Sequence, residues 1–399
     1  MDLYLQFGYG MKKNTIDLAK KWGEATVILS PRDIEPESLG KWSKEFQKNM
    51  VKTLFDPQCY YPNGTHQRLA KYDYISKTCY TNLGIDVGEA EKQLRKIEYY
   101  NEISNTFAFI IPGIMREKVN EEWFDKHSQY VEAALKIIHE RPLYMTIALP
   151  QATLMGTNEA IEEIIEKAKK WPVHGFYIVA EHPQYRYLVE NPVWLSNLLD
   201  LCAGLKLEGK KVILGYANHQ MLCATMSRVD AIASGTWLNV RTFTDKFSEV
   251  ENQVGRRNTW YYYPQALSEY KIPFLDLAFN KGILSKFKPD ESIGDEYAKI
   301  LFSGAAPTST SYGESDAFKH YLHSLKMQIQ CLEKKSYDEA MAAQELLLVT
   351  AERSIEFTQG NGIFSRDRDF SKSFDTNRAA LHSLDKSRGF VLRNEWNIL

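Results

Sequence analysis

Thr53-Leu54-Phe55-Asp56-Pro57-Gln58 places an acid, a proline and an amide at the end of a short apolar run. Proline disfavours helix for the residue before it and has no N–H to donate, so a β-ladder stops here. A carboxylate at the carboxyl end of a strand, followed by a rigid turn, is where a barrel presents a catalytic group. Asp56 would also serve as the cap of that turn, and on this stretch alone both readings stand. Other apolar runs end in the same way. Tyr9 follows the first, Arg32 and Asp33 the second, Gln151 the fifth, Glu181 and His182 the sixth, and Asn218 and His219 the seventh.

In a barrel these ends share one mouth. Asp56 and Glu181 come from runs three apart and would face each other across it. Paired carboxylates suit chemistry at a sugar C1, where one steadies an oxocarbenium-like centre or activates water and the other handles a proton. Arg32, Asp33, Gln58, Tyr9, Gln151, Asn218 and the two histidines would then bind the ligand. His182 before Pro183 also reads as a turn residue, and His219 as a core histidine. With Glu181 they show neither His-x-His nor His-Glu-x-x-His spacing, so no metal site is expected.

The elements that must position these groups follow from periodicity. Apolar runs fall at residues 3–7, 26–29, 51–55, 107–111, 144–149, 175–179, 212–214 and 231–232. Helical patterns separate them at 14–21, 36–49, 87–101, 120–140, 158–170 and 194–203. Strands alternating with helices predict a parallel sheet. Eight units predict a closed (β/α)8 TIM-type barrel over residues 1–241, with an open doubly wound sheet as the alternative. Residues 57–105 form a long insertion after strand 3, bearing Tyr60, Tyr61, Tyr72, Tyr74, Tyr80, Tyr99 and Tyr100, with Asn63-Gly64 as a turn. Residues 242–399 form a mainly helical C-terminal region, with helices expected at 294–304, 315–334 and 337–358 and a mildly basic, partly mobile tail. Arg256 and Arg257 stand beside Trp260 and Tyr261. Guanidinium next to stacked aromatics is a device for single strands and flipped bases, and it is also how a solvated edge covers a core.

The composition narrows the classes. Net charge is −2, so any nucleic-acid site is a local patch. No basic, then apolar, leader opens the chain and no run of 18 apolar residues occurs, so neither a signal peptide nor a membrane span is expected. Five scattered cysteines without a Cys-x-x-Cys pair fit a reducing cytoplasm. No Gly-x-Gly-x-x-Gly or phosphate-loop pattern follows a strand, so no nucleotide cofactor is expected.

Against this frame the motifs resemble a family. His174-Gly175-Phe176-Tyr177-Ile178-Val179-Ala180-Glu181 resembles the Gly-Gly-Leu-Ala-Val-Gly-Glu strand of tRNA-guanine transglycosylases. Phe55-Asp56-Pro57-Gln58 is similar to their Thr-Asp-Ser-Gly-Gly-Phe-Gln, whose Asp lies at the reacting base. Val212-Ile213-Leu214-Gly215-Tyr216 resembles Leu-Met-Gly-Val-Gly, and Arg228-Val229-Asp230-Ala231-Ile232-Ala233-Ser234 resembles the Gly-x-Asp-x-Phe-Asp-Ser segment after it. Ser30-Pro31-Arg32-Asp33 looks closer to the branch that inserts 7-deazaguanines into DNA. The resemblance spans roughly residues 1–241. Ala233 stands where that family has its covalent nucleophile, and its Cys-x-Cys-x-x-Cys zinc motif is absent. The resemblance therefore implies hydrolysis over base exchange, similar to phage-defence DNA glycosylases that excise glucosylated hydroxymethylcytosine. It implies DNA as partner, Asp56 as principal acid and Glu181 as reader or proton donor of the base. The alternatives are a transglycosylase that uses Asp56 or Asp230, a barrel enzyme on free sugars or nucleosides, and an inactive barrel that binds nucleic acid.

Overall fold

The computed structural model describes residues 1–61, 66–75, 87–244 and 258–399. Its centre is one sheet of eight strands: β1 (Asp2–Gln6), β2 (Ala25–Leu29), β3 (Val51–Phe55), β4 (Phe109–Ile111), β5 (Leu143–Leu149), β6 (Gly175–Ala180), β7 (Lys211–Leu214) and β8 (Ala231–Ser234). The order is β3-β2-β1-β8-β7-β6-β5-β4, and the neighbours pair in parallel. β3 and β4 meet across a thin seam. The Phe107 N–H donates to the Thr53 carbonyl at 3.2 Å, and the Thr53 hydroxyl donates to the Ser104 carbonyl at 2.8 Å. The expected (β/α)8 barrel is thus present.

Alternation along each strand sorts side chains in or out, as the period of two requires. Leu3 and Leu5 pack outward against helices, whereas Tyr4, Ile28, Leu54, Ile110, Ala148, Tyr177, Val179, Ile213, Ala231 and Ala233 share the interior. Continuing that series by two residues brings Asp56 inward at the end of β3. Small residues opposite large ones make the interior fit. Alanines at 108, 148, 231 and 233 leave room for the rings of Tyr60, Tyr177 and Tyr216. Gly215 is required for the same reason, because a Cβ there would lie 2.6 Å from the Tyr177 hydroxyl.

Around the sheet run α1 (Lys12–Trp22), α2 (Pro36–Lys48), α3 (Val87–Ser104), α4 (Glu121–Ile137), the single turn α5 (Gln151–Leu154), α6 (Asn158–Ala168) and α7 (Pro192–Leu207). α3 packs against β3, α2 and α4. It is the ordinary crossover helix of its unit, so the expected insertion at 57–105 shrinks to the part before residue 87.

After β8 come the antiparallel hairpin β9 (Trp260–Tyr263) and β10 (Ser268–Lys271), then α8 (Ile272–Asn280), α9 (Glu314–Leu332), α10 (Tyr337–Gly360) and α11 (Phe374–Glu395). Only Lys299–Phe302 is helical within the helix expected at 294–304. α9 packs on β1, α1 and the 3-10 segment His219–Ser227, which is the place of the barrel's eighth helix. One hydrophobic cluster therefore runs through both parts of the chain, and the expected boundary at 241/242 is no break in the packing. The basic tail is not a mobile arm. α11 docks on α7, and Arg378, Arg388 and Arg393 pair with Glu352, Asp200 and Asp338. Among the described residues no helix is long and apolar enough to cross a membrane.

Candidate active site

Asp56 is buried at the carboxyl end of the barrel, and hydroxyls converge on it from three strands' worth of sequence. The Tyr60 hydroxyl lies 2.7 Å from both carboxylate oxygens. Tyr216 donates to Oδ2 at 3.1 Å, and Tyr177 stands 3.3 Å from the same oxygen. The Gln58 N–H donates to Oδ1 at 3.0 Å and closes the Asp-Pro-Gln turn, which holds Gln58 at φ 54°. Burial pushes the Asp56 carboxyl up from 3.8 to about 6, and the donors from Tyr60, Gln58, Tyr216 and Tyr177 work against that rise. The three tyrosines are raised well above their usual value by burial and then by the Asp56 charge, so they remain donors.

Proton counting fixes the orientation of this network. The Gln58 side-chain oxygen accepts from the Arg32 N–H at 3.0 Å. Its amide nitrogen must then donate, and it does so to Ser30 Oγ at 2.9 Å and to the Tyr216 oxygen at 3.0 Å. Ser30 passes its own proton to Asp33 at 2.8 Å. Tyr216 has one proton, and it goes to Asp56. Arg32, Asp33, Gln58 and Asp56, four of the residues expected from sequence, therefore form one assembly. Gln6 joins it from β1. Its oxygen lies 3.0 Å from the Tyr177 hydroxyl, while its buried Nε2 has no hydrogen-bond partner.

Phe243 closes the mouth. Its ring meets Tyr60 and Tyr216 edge-on at 5.1 and 5.0 Å and stacks on Tyr61 at 5.9 Å. Its backbone bridges to Glu181, and its carbonyl accepts from the His182 N–H at 3.1 Å. Glu181, half-buried, accepts from the Gln151 N–H at 2.9 Å, and Gln151 in turn accepts from the Gln184 N–H at 3.0 Å. These two expected residues are neighbours, and among the described residues their side-chain hydrogen bonds run to each other and to Gln184, not to Asp56. The carboxylates sit in unlike surroundings: Asp56 is sealed and Glu181 reaches solvent.

Several expected ligand-binding residues have other work. His182 is turned to the Arg186 carbonyl at 3.1 Å and packs on Trp194, and burial pushes it down to about 4. His219 lies among Tyr187, Tyr262, Tyr321 and Phe370 and is likewise pushed down to about 4 by burial. Both follow the turn and core readings. Asn218 caps the segment after β7, accepting from Gln220 at 2.8 Å and donating to the Tyr187 carbonyl at 2.7 Å. Tyr9 is exposed on the rim. Tyr261 is fully buried with its hydroxyl on the Phe287 carbonyl, so it cannot stack on a base. The Trp260 ring already carries Arg368 at 3.9 Å and Lys271 at 5.2 Å from its centroid. Tyr72, Tyr74 and Tyr100 pack around Phe55 instead of facing a strand of DNA. Asp230 stands at the opposite, amino-terminal end of the barrel, paired with Lys206 and Lys211. Arg256, Arg257, Tyr80 and Asn63-Gly64 lie outside the described residues.

Sequence reading missed Tyr177, Tyr216, Gln6, Ser30 and Phe243. The first of these carried a signal: Tyr177 falls in phase with Val179 and Glu181, and an inward tyrosine hydroxyl needs a partner. Phe243 carried none. Among the described residues no group of three or more His, Cys, Asp or Glu could hold a metal.

No family model matches the chain, and no curated protein does. Solved structures that resemble it include a putative deoxyribose-phosphate aldolase from Coccidioides immitis (12% identity, 59% of this chain and 80% of that one, TM-score 0.34). Xylanase B from Clostridium stercorarium F9 aligns at 11% identity over 62% of this chain and 94% of that one, with a TM-score of 0.35. The carboxyl transferase domain of Rhizobium etli pyruvate carboxylase aligns at 10% identity over 97% of this chain and 61% of that one, with a TM-score of 0.36. Likenesses at this level bear on neither activity nor substrate.

Proposed function

We propose that the chain is a cytoplasmic DNA glycosylase that hydrolyses the N-glycosyl bond of a modified base, glucosylated hydroxymethylcytosine in phage DNA, and leaves an abasic site as antiviral defence. The observation that carries the chemistry is Asp56: a carboxylate at the barrel mouth, held by three tyrosines and poised to ionise near neutral pH. The choice of DNA and of the base rests on the motif resemblance. In this reading the nucleotide flips out of the stack and displaces Phe243. Ionised Asp56 steadies positive charge at C1′ and takes a proton from the attacking water. The water oxygen bonds to C1′ as the C1′–N bond breaks, the proton taken by Asp56 passes to the leaving base, and Glu181 reads that base by hydrogen bond. Alanine at 233 and the remote place of Asp230 favour hydrolysis over a covalent exchange of bases.

The test compares DNA carrying the modified base with unmodified DNA, scoring abasic sites and released base. Wild-type protein should produce both from modified DNA only, and Asp56→Asn should produce neither. Inertness on both DNAs, or full activity in Asp56→Ala, would sink the reading. Labelled free base entering the DNA would replace it with base exchange.

A further inference from the structure

A cavity of about 470 Å³ opens at the carboxyl end of β8, between Thr236–Arg241, the β9–β10 hairpin, α9 and Arg368. Asp56 and its hydrogen-bond partners do not line it. Its floor is an ion triad. Arg241 is spent on the Gly235 and Thr236 carbonyls and on both Glu269 oxygens, and its guanidinium lies 3.4 Å over Tyr321. Arg368 donates to Glu269 at 2.7 Å. The two guanidiniums hold Glu269 down at about 2 against its burial, so the triad keeps one surplus positive charge at any working pH.

Arg368 carries that surplus. One of its N–H groups is used; the others meet no acceptor among the described residues, and its face rests 3.9 Å over Trp260. Lys271 lies 5.2 Å from the Trp260 ring, outside the cavity lining, and Glu314 lies on the rim. Nearby, the hydroxyl of Thr236 is buried without a partner, and the side chains of Asn258 and Thr259 line the mouth. A guanidinium held rigid on an aromatic plate, with neutral donors beside it, suits a phosphate oxygen pair. Barrels often hold phosphate in the loops after their last strands, which is where this cavity lies.

We infer that this cavity binds a phosphodiester of the DNA strand, with Arg368 as its main contact. The inference rests on the reading above for its substrate class. A single surplus charge matches a phosphodiester monoanion, and Glu314 opposes a doubly charged phosphomonoester. Arg241 begins the segment that ends in Phe243, so the cavity adjoins the cover of Asp56.

The experiment titrates a single-stranded oligonucleotide against the full chain by fluorescence anisotropy over a range of salt. Arg368→Gln should weaken binding about tenfold and reduce the salt slope by about one. Asn258→Asp, an exposed change that leaves the triad intact, should also weaken it. Asp56→Asn should bind as wild type while forming no abasic sites. Unchanged affinity and slope in Arg368→Gln and Asn258→Asp, or no binding by wild type, overturns the inference. So does inorganic phosphate that competes at equal phosphate concentration, which would assign the cavity to a free anion. Arg368-dependent binding with no glycosylase activity would uphold the cavity and remove the glycosylase reading.

Discussion

Asp56 places a titration inside the fold, and its sign can be worked out. The folded carboxyl is raised to about 6 while the unfolded one stays near 3.8, so the folded chain holds the extra proton between those values. Stability therefore falls as pH rises through that window, by about 3 kcal/mol in all, and is unaffected by Asp56 below it. In urea unfolding from pH 3.5 to 7, the difference between wild type and Asp56→Asn should follow that fall. Activity should move the opposite way, with kcat/KM rising through pH 6 as Asp56 ionises. Gln6 gives a second prediction. Its buried Nε2 has no partner, and an unsatisfied buried donor costs about 1–3 kcal/mol. Gln6→Leu should raise the Tm yet lower kcat, since a residue kept at a stability cost beside the acid is kept for the ligand. An unchanged or lower Tm would show that the amide is already satisfied in the fold. Sequence could mark Asp56, because Pro57 ends the strand for a local reason. It could not mark Gln6, whose meaning comes from Tyr177, distant in sequence and adjacent only across the barrel.

At the scale of elements, the eight strands were legible because each is a short apolar run ended by Gly, Pro or a polar turn, and each alternates in phase. The site residues legible with them are those that follow a strand within five positions: Arg32, Asp33, Asp56, Gln58. His182, Asn218 and His219 obey the same rule and still belong to turns and caps, since a position after a strand does not say which way its side chain points. Residues 254–264 fit a nucleic-acid segment and a solvated edge over a core alike, because four aromatics beside two arginines suit both purposes. Tertiary packing decided for burial of Tyr261 and Tyr262. Gly215 tests how closely one element limits another. With a Cβ at 215 placed 2.6 Å from the Tyr177 hydroxyl, Gly215→Ala must push Tyr177 off Asp56 or open the strand pair. We expect a loss of about 1–3 kcal/mol in chemical denaturation. Tyr177 is one of the donors that lower the Asp56 pKa, so the midpoint of the pH–rate profile should also climb above 6. A stable variant with an unmoved midpoint would show that Tyr177 does not tune the acid.

The whole molecule is organised by what covers the barrel's outside. α7 is apolar on nearly every side, a pattern that belongs to a helix buried on all faces. Such a helix needs a second layer over it, and α11 supplies that layer. The basic residues of that helix read as a free tail only while their partners were unknown. Arg388 reaches Asp200 in the middle of α7 with two bonds of 2.9 and 2.8 Å, and it also pairs with Glu162 on α6. Asp200 is almost wholly buried, and it accepts from this guanidinium and from the Ser387 hydroxyl. Arg388→Ala should leave a buried carboxylate without its cation and cost about 3–5 kcal/mol in urea unfolding. If the pair contributes through complementarity and not through net attraction, Asp200→Leu with Arg388→Met should recover most of that loss, because replacing both partners removes the desolvated charge altogether. A double variant as unstable as the single one would mean that α11 is held to the barrel by the ion pair itself. A single variant without loss would mean that α11 can peel away, which returns the tail to the role of a free basic arm. In that event Arg378, Arg388 and Arg393 should each raise the salt dependence of oligonucleotide binding, whereas in the docked arrangement changing any of the three should leave that slope unmoved.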